Sequence, residues 1–178
     1  MSRLITEWNM QQTMLHSDPS VRFREAVNRL EEEQNEMKAQ ILSIRQLVSE
    51  GSRIGEEDPV CSRIARMKPN VFELLKQLQS HAEWERQYVF PLLAELTGKR
   101  MGPMSVMDLE REWAIQYLRT YIEESGSAGL FCPETKAEEL LRQVEQALFI
   151  LEEHLRKNEE IVFPLADQIA ADMDRYYR

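Results

Sequence analysis

Two of the chain's three histidines stand in matching places. His81 opens the stretch His81-Ala-Glu-Trp-Glu85 and is followed nine residues later by Phe90-Pro91-Leu92. His154 opens His154-Leu-Arg-Lys-Asn158-Glu159 and is followed at the same distance by Phe163-Pro164-Leu165. A repeated slot makes coincidence a poor explanation for both imidazoles. His81 and Glu85 are four residues apart, so on a helix their side chains leave one face a turn apart. An imidazole and a carboxylate so placed can share a metal ion, as in carboxylate sites inside helix bundles. They can equally hydrogen-bond each other in a half-buried layer. The spacing leaves both readings open.

Helices must hold these groups, and the chain supplies them. A first helix is expected from Ser20 to Glu50, capped around Pro19 and stopped by Gly51. Its apolar seam is Phe23, Val27, Leu30, Gln34, Met37, Ile41, Ile44 and Val48, stepping four and three as in a packed bundle. Residues 51–69 read as a connector. A second helix is expected from Pro69-Asn70 to about Leu96, with the seam Val71, Leu74, Leu78, His81, Glu85, Tyr88, Leu92 and Leu96. The third begins after Gly102-Pro103 and runs to Ser125, presenting Val106, Leu109, Trp113, Tyr117 and Thr120 or Tyr121. The fourth opens after Pro133 and reaches at least Ala170 through Leu140, Val144, Leu148, Leu151, His154, Asn158, Ile161, Leu165 and Ile169. Pro91 and Pro164 fall inside these patterns. Each removes a backbone hydrogen bond, so a kink is expected at each.

No strand-like alternation competes with this all-α reading. Residues 1–19 form a weaker N-terminal arm, with Leu4, Trp8 and Leu15 on one face, and residues 20–178 form the bundle. Leu30-Glu-Glu-Glu33-Gln34 resembles Leu109-Glu-Arg-Glu112-Trp113, so the chain reads as two helical hairpins. That repeat puts Gln34, His81 with Glu85, Trp113, and His154 with Asn158 at one level of the core. The acidic runs Glu31–Glu33 and Glu152–Glu153 are expected on solvated faces.

Composition narrows the function classes. The chain has 178 residues, 43% hydrophobic and 30% charged, enough for one domain with its own core. A net charge of −9 gives no general attraction to nucleic acid or to an anionic membrane. Cys61 and Cys132 form no CxxC pair and read as reduced thiols. No apolar run approaches a membrane span. The expectation is a cytoplasmic protein whose partner is another protein or a second copy of itself.

A His-x-x-x-Glu step followed by Phe-Pro at His81, and a second His followed by Phe-Pro at the same distance at His154, resemble the hemerythrin-like HHE cation-binding domain over roughly residues 20–170. The resemblance implies an up-and-down four-helix bundle around a non-haem di-iron centre that binds dioxygen or senses oxygen, iron, nitric oxide or redox state. It makes His81, Glu85 and His154 metal ligands. Asn158 stands where a second bridging carboxylate belongs, and Glu159 beside it is a substitute at a later spacing. Gln34 stands where the first helix should offer histidine, and Trp113 and Tyr117 where the third should. Trp113 would fill the vacated volume, while Gln34 and Asn158 satisfy the remaining polar groups. The expected function is therefore a degenerate di-iron protein, metal-weak or metal-free, acting as a binding or regulatory module and not as an enzyme. One alternative is a working iron protein, with iron as a single ion on His81, Glu85 and His154 or as a remnant di-iron pair. The other is a structural, partner-binding bundle.

Overall fold

The computed structural model of the chain describes residues 19–50, 60–97, 102–128 and 133–176. The expected N-terminal arm, His16 and Cys132 lie outside the described residues. Helix α1 spans Pro19–Ser49. Helix α2, Val60–Trp84, runs through a π-helical turn, Glu85–Val89, into α3, Phe90–Thr97. Helix α4 spans Gly102–Ala128. Helix α5, Glu134–Lys157, runs through a second π-helical turn, Asn158–Val162, into α6, Phe163–Tyr176. The result is four rods, with no strand among the described residues.

The rods alternate in direction. Phe23 near the start of α1, Leu93 in α3, Met107 near the start of α4 and Ala166 in α6 share one apolar cluster. A larger cluster fills the other end, from Met37, Ile41 and Ile44 of α1 across Leu74 and Leu78 to Leu118, Leu148 and Leu151. Each fully buried Leu or Ile contributes roughly 1.5–3 kcal/mol relative to an exposed one. Between the clusters lies a polar layer of Gln34, His81, Glu85, Arg111, His154 and Asn158, all buried. The bundle is therefore two dry cores clamped on one polar level.

The second rod begins nine residues before the expected start at Pro69, which sits inside α2. Ile64, Met67 and Val71 form a buried stripe that spans the proline. Pro69 itself and Ala65, whose carbonyl it deprives of a donor, are exposed, so water can meet that carbonyl. Arg63 fixes the new start by donating from Nη1 to the Val48 carbonyl at 3.0 Å, near the end of α1.

Both Phe-Pro prolines act through a π-helical turn. The amide of Phe90 bonds the carbonyl of Glu85, and that of Phe163 bonds the carbonyl of Asn158, five residues back in each case. One extra residue enters each turn, and the seam slips by one beyond it. Val89 is buried where Tyr88 was expected, and Val162 where Ile161 was.

Helix α4 corrects the expected seam at every position but Tyr121. Val106, Leu109, Trp113 and Tyr117 face outward, Trp113 with 48% of its surface exposed. The buried face is Met107, Arg111, Ala114, Leu118 and Tyr121. Tyr121 anchors it by donating its hydroxyl to the Ile64 carbonyl at 2.7 Å. The steps 111, 114, 118, 121 copy those of the buried residues Gln34, Met37, Ile41 and Ile44 in α1. Arg111, not Trp113, is thus the partner of Gln34 in the repeat.

The slipped seam orders two neighbouring substitutions. Val162→Ala should cost about 1.5–3 kcal/mol, whereas Ile161→Ala should stay within about 0.5 kcal/mol. Urea denaturation of the two variants checks this, and the reverse order would mean the seam does not slip.

Candidate metal centre

The polar layer is built around the Glu85 carboxylate. Glu85 opens the first π-helical turn and faces the core one turn beyond His81. Its Oε1 lies 3.3 Å from His81 Nε2 and 3.9 Å from His154 Nε2, and it accepts from Asn158 Nδ2 at 3.5 Å. Its Oε2 is taken by the Arg111 guanidinium, which also pairs with Asp108 one turn back on α4. Gln34 reaches across from α1 and donates to the Leu155 carbonyl at 3.2 Å.

A second shell of contacts ties His81 to the surface. Its Nδ1 lies 3.0 Å from Oε2 of Glu33. Glu33 also accepts from Arg29 Nε at 2.8 Å, and the Arg29 guanidinium lies over the Trp84 ring, 3.8 Å from its centroid. Glu33 was expected on a solvated face. Its side chain instead keeps only 18% of its exposure because the imidazole draws it inward.

Burial and charge sort the titratable groups. Burial opposes a charge on His81, but Glu85 and then Glu33 outweigh it and raise the imidazole to about 9. Burial would likewise push Glu85 up, yet His81, with His154 and Arg111, holds it well below the usual carboxylate range. His154 goes the other way: burial lowers it, Glu85 offsets this only in part, and Arg111 and His81 act with burial, leaving it at about 4. At neutral pH the layer therefore holds a protonated His81, an ionised Glu85, a cationic Arg111 and a neutral His154. Neutral imidazole is the form that binds metal, so His154 is ready and His81 must first release a proton.

His81, Glu85 and His154 come together as expected. Each offers a ligand atom, all within 4.8 Å of one another. Glu159 is not brought to them; it points outward and pairs with Lys38 across the gap to α1. Asn158 takes the inward position at the start of the π-helical turn, one residue earlier. Trp113 and Tyr117 are outside the layer altogether. Two members of the network, Arg111 and Glu33, were not anticipated. The signal for Arg111 was its place in the 111, 114, 118, 121 steps, which an apolar pattern search passes over because the residue is charged.

These residues fit one cation and not two. Both ring nitrogens of His154 and the Asn158 Oδ1 are buried without a hydrogen-bond partner among the described residues, and His81 Nε2 faces the Glu85 carboxylate at 3.3 Å. Such groups normally find one, and two imidazoles with one carboxylate are an adequate donor set for a single non-haem metal ion. A second ion would find an amide at Gln34, an amide at Asn158 and a guanidinium at Arg111. A family model described as the hemerythrin HHE cation-binding domain matches residues 25–166. No curated protein and no solved structure gives a significant match.

The raised His81 makes stability fall with alkali. Its contribution is full below the unfolded value near 6.5 and is lost as pH rises through about 9. Chelated wild-type protein should therefore weaken between those limits, and His81→Gln should lose that slope. Denaturant midpoints measured across this window check it; an unchanged slope in the variant would assign the titration elsewhere.

Proposed function

Because the chain belongs to the hemerythrin HHE cation-binding family, we propose that it is a non-enzymatic, cytoplasmic binding or regulatory module whose core holds at most one divalent cation. Iron is the ion the family implies. The observation that carries this reading is the donor count at the polar layer: two imidazoles and one carboxylate within reach of one point, with no second fully buried carboxylate among the described residues. A bridged pair of irons carries more positive charge than a single buried carboxylate compensates.

His154 and His81 would supply nitrogen, and Glu85 one oxygen. An iron held by these three groups would supply affinity for a small ligand such as dioxygen or nitric oxide. Around it the chain's own residues exclude water. The two apolar clusters close the layer from either end, and Gln34 and Asn158 fill the sides. The proton that a metal would displace from His81 is the one on Nε2, which faces Glu85, while Nδ1 would keep its hydrogen bond to Glu33 and hold the ring in place. Among the described residues no helix is long and apolar enough to cross a membrane.

Elemental analysis of protein purified from iron-supplemented cells, with an optical spectrum of the same sample, tests this. The expected result is no more than one ion per chain, lost in His154→Ala and in Glu85→Gln. Near two irons with an oxo-bridge absorption band would sink the proposal. Zero metal that persists after anaerobic ferrous loading would instead make the layer a metal-free polar clamp.

A further inference from the structure

We propose that Arg111 is a resident cation of this centre, competing with a divalent ion for Glu85 and thereby setting how tightly the centre holds metal. The inference rests on the single-cation reading of the site. Arg111 is fully buried, one of the largest side chains to be so in the protein. A guanidinium cannot be neutralised by losing its proton, so in this position it must have carboxylate partners. It takes two, Glu85 in the core and Asp108 nearer the surface.

The contact with Glu85 divides that carboxylate. A carboxylate bridging two ions spends one oxygen on each. Here Oε2 faces Arg111, and Oε1 alone turns toward His81 and His154. The guanidinium thus stands against the oxygen that a second ion would need. It also places a full positive charge beside the oxygen available to the first. Like charges this close in a poorly solvated layer repel far more strongly than in water. By its steps along α4, Arg111 occupies the level that Gln34 occupies on α1, so the cation belongs to the layer rather than entering it by chance. Helix α4 gives the centre a charge instead of a ligand.

A cation that substitutes for metal charge should be replaceable by metal. Cobalt(II) is a suitable probe, followed by isothermal titration and by thermal unfolding with and without the ion. Arg111→Met should bind cobalt(II) about tenfold more tightly or better than wild type. Its unfolding temperature, lowered without metal, should rise on adding cobalt(II) by more than that of wild type. Arg111→Lys keeps the charge and should stay near wild-type affinity. Cobalt(II) binding by Arg111→Met in a background where wild type binds none also supports the proposal. A wild type that binds cobalt(II) with Arg111→Met no tighter overturns it and leaves the single-cation reading standing. If neither protein binds, both ideas fall together. An Arg111→Met chain that remains unfolded in millimolar cobalt(II) overturns it too, since metal then cannot stand in for the guanidinium.

Discussion

The ion pair of Arg111 with Glu85 is the constraint to which the rest of the layer answers. Neither charge can be left alone in a place this dry, because an unpaired buried charge costs several kcal/mol. Glu85 must therefore face α4, and α4 must turn the face carrying Arg111 inward. That rotation leaves Trp113, Leu109 and Val106 outside and puts Met107, Ala114, Ile115, Leu118 and Tyr121 inside. The charge pair and the apolar stripe of Met107, Ala114, Leu118 and Tyr121 share one face of the helix, so both fix its orientation.

The Phe-Pro repeat has a structural explanation that unites its two copies. In each, the residue before the proline bonds five positions back, and the carbonyl it reaches belongs to the layer residue, Glu85 or Asn158. The widened turn thus begins at the side chain that the layer uses. Because a π-helical turn carries one more residue, the helix beyond it presents a seam displaced by one, and Val89 and Val162 become core. Proline is the local cause, and placement of the layer residue is the consequence. The same turn that brings Asn158 inward turns Glu159 toward Lys38, so the second hairpin contributes an amide where the first contributes a carboxylate.

Electrostatics then separates two histidines that look alike in sequence. His81 lies between Glu85 and Glu33 and keeps its proton. His154 loses its proton because burial disfavours its charge, the distant oxygen of Glu85 offsets that only in part, and Arg111 and His81 repel it. The two hairpins repeat one scaffold, and their chemistry is unequal. One half is ionic and hydrogen-bonded to the surface through Glu33, and the other is neutral with open ring nitrogens.

The all-α class, the four rods, the family and the meeting of His81, Glu85 and His154 were legible in the residues, because each depends on local spacing. Helical period places an imidazole and a carboxylate four apart on one face, and the repeat brings the second imidazole to the same level. The start of α2 was not legible, since Pro69 reads as a break until Ile64 and Met67 are seen to need burial. Nor was the seam beyond each proline, because straight-helix arithmetic has no place for an extra residue. Glu33 and Arg111 were hidden for a different reason: a charged residue is assigned to solvent unless its partner is known. The partner of Arg111 is 26 positions away and that of Glu33 is 48 away. Period along one helix is local and written in the chain, whereas pairing of charges between helices is settled only when the rods are packed.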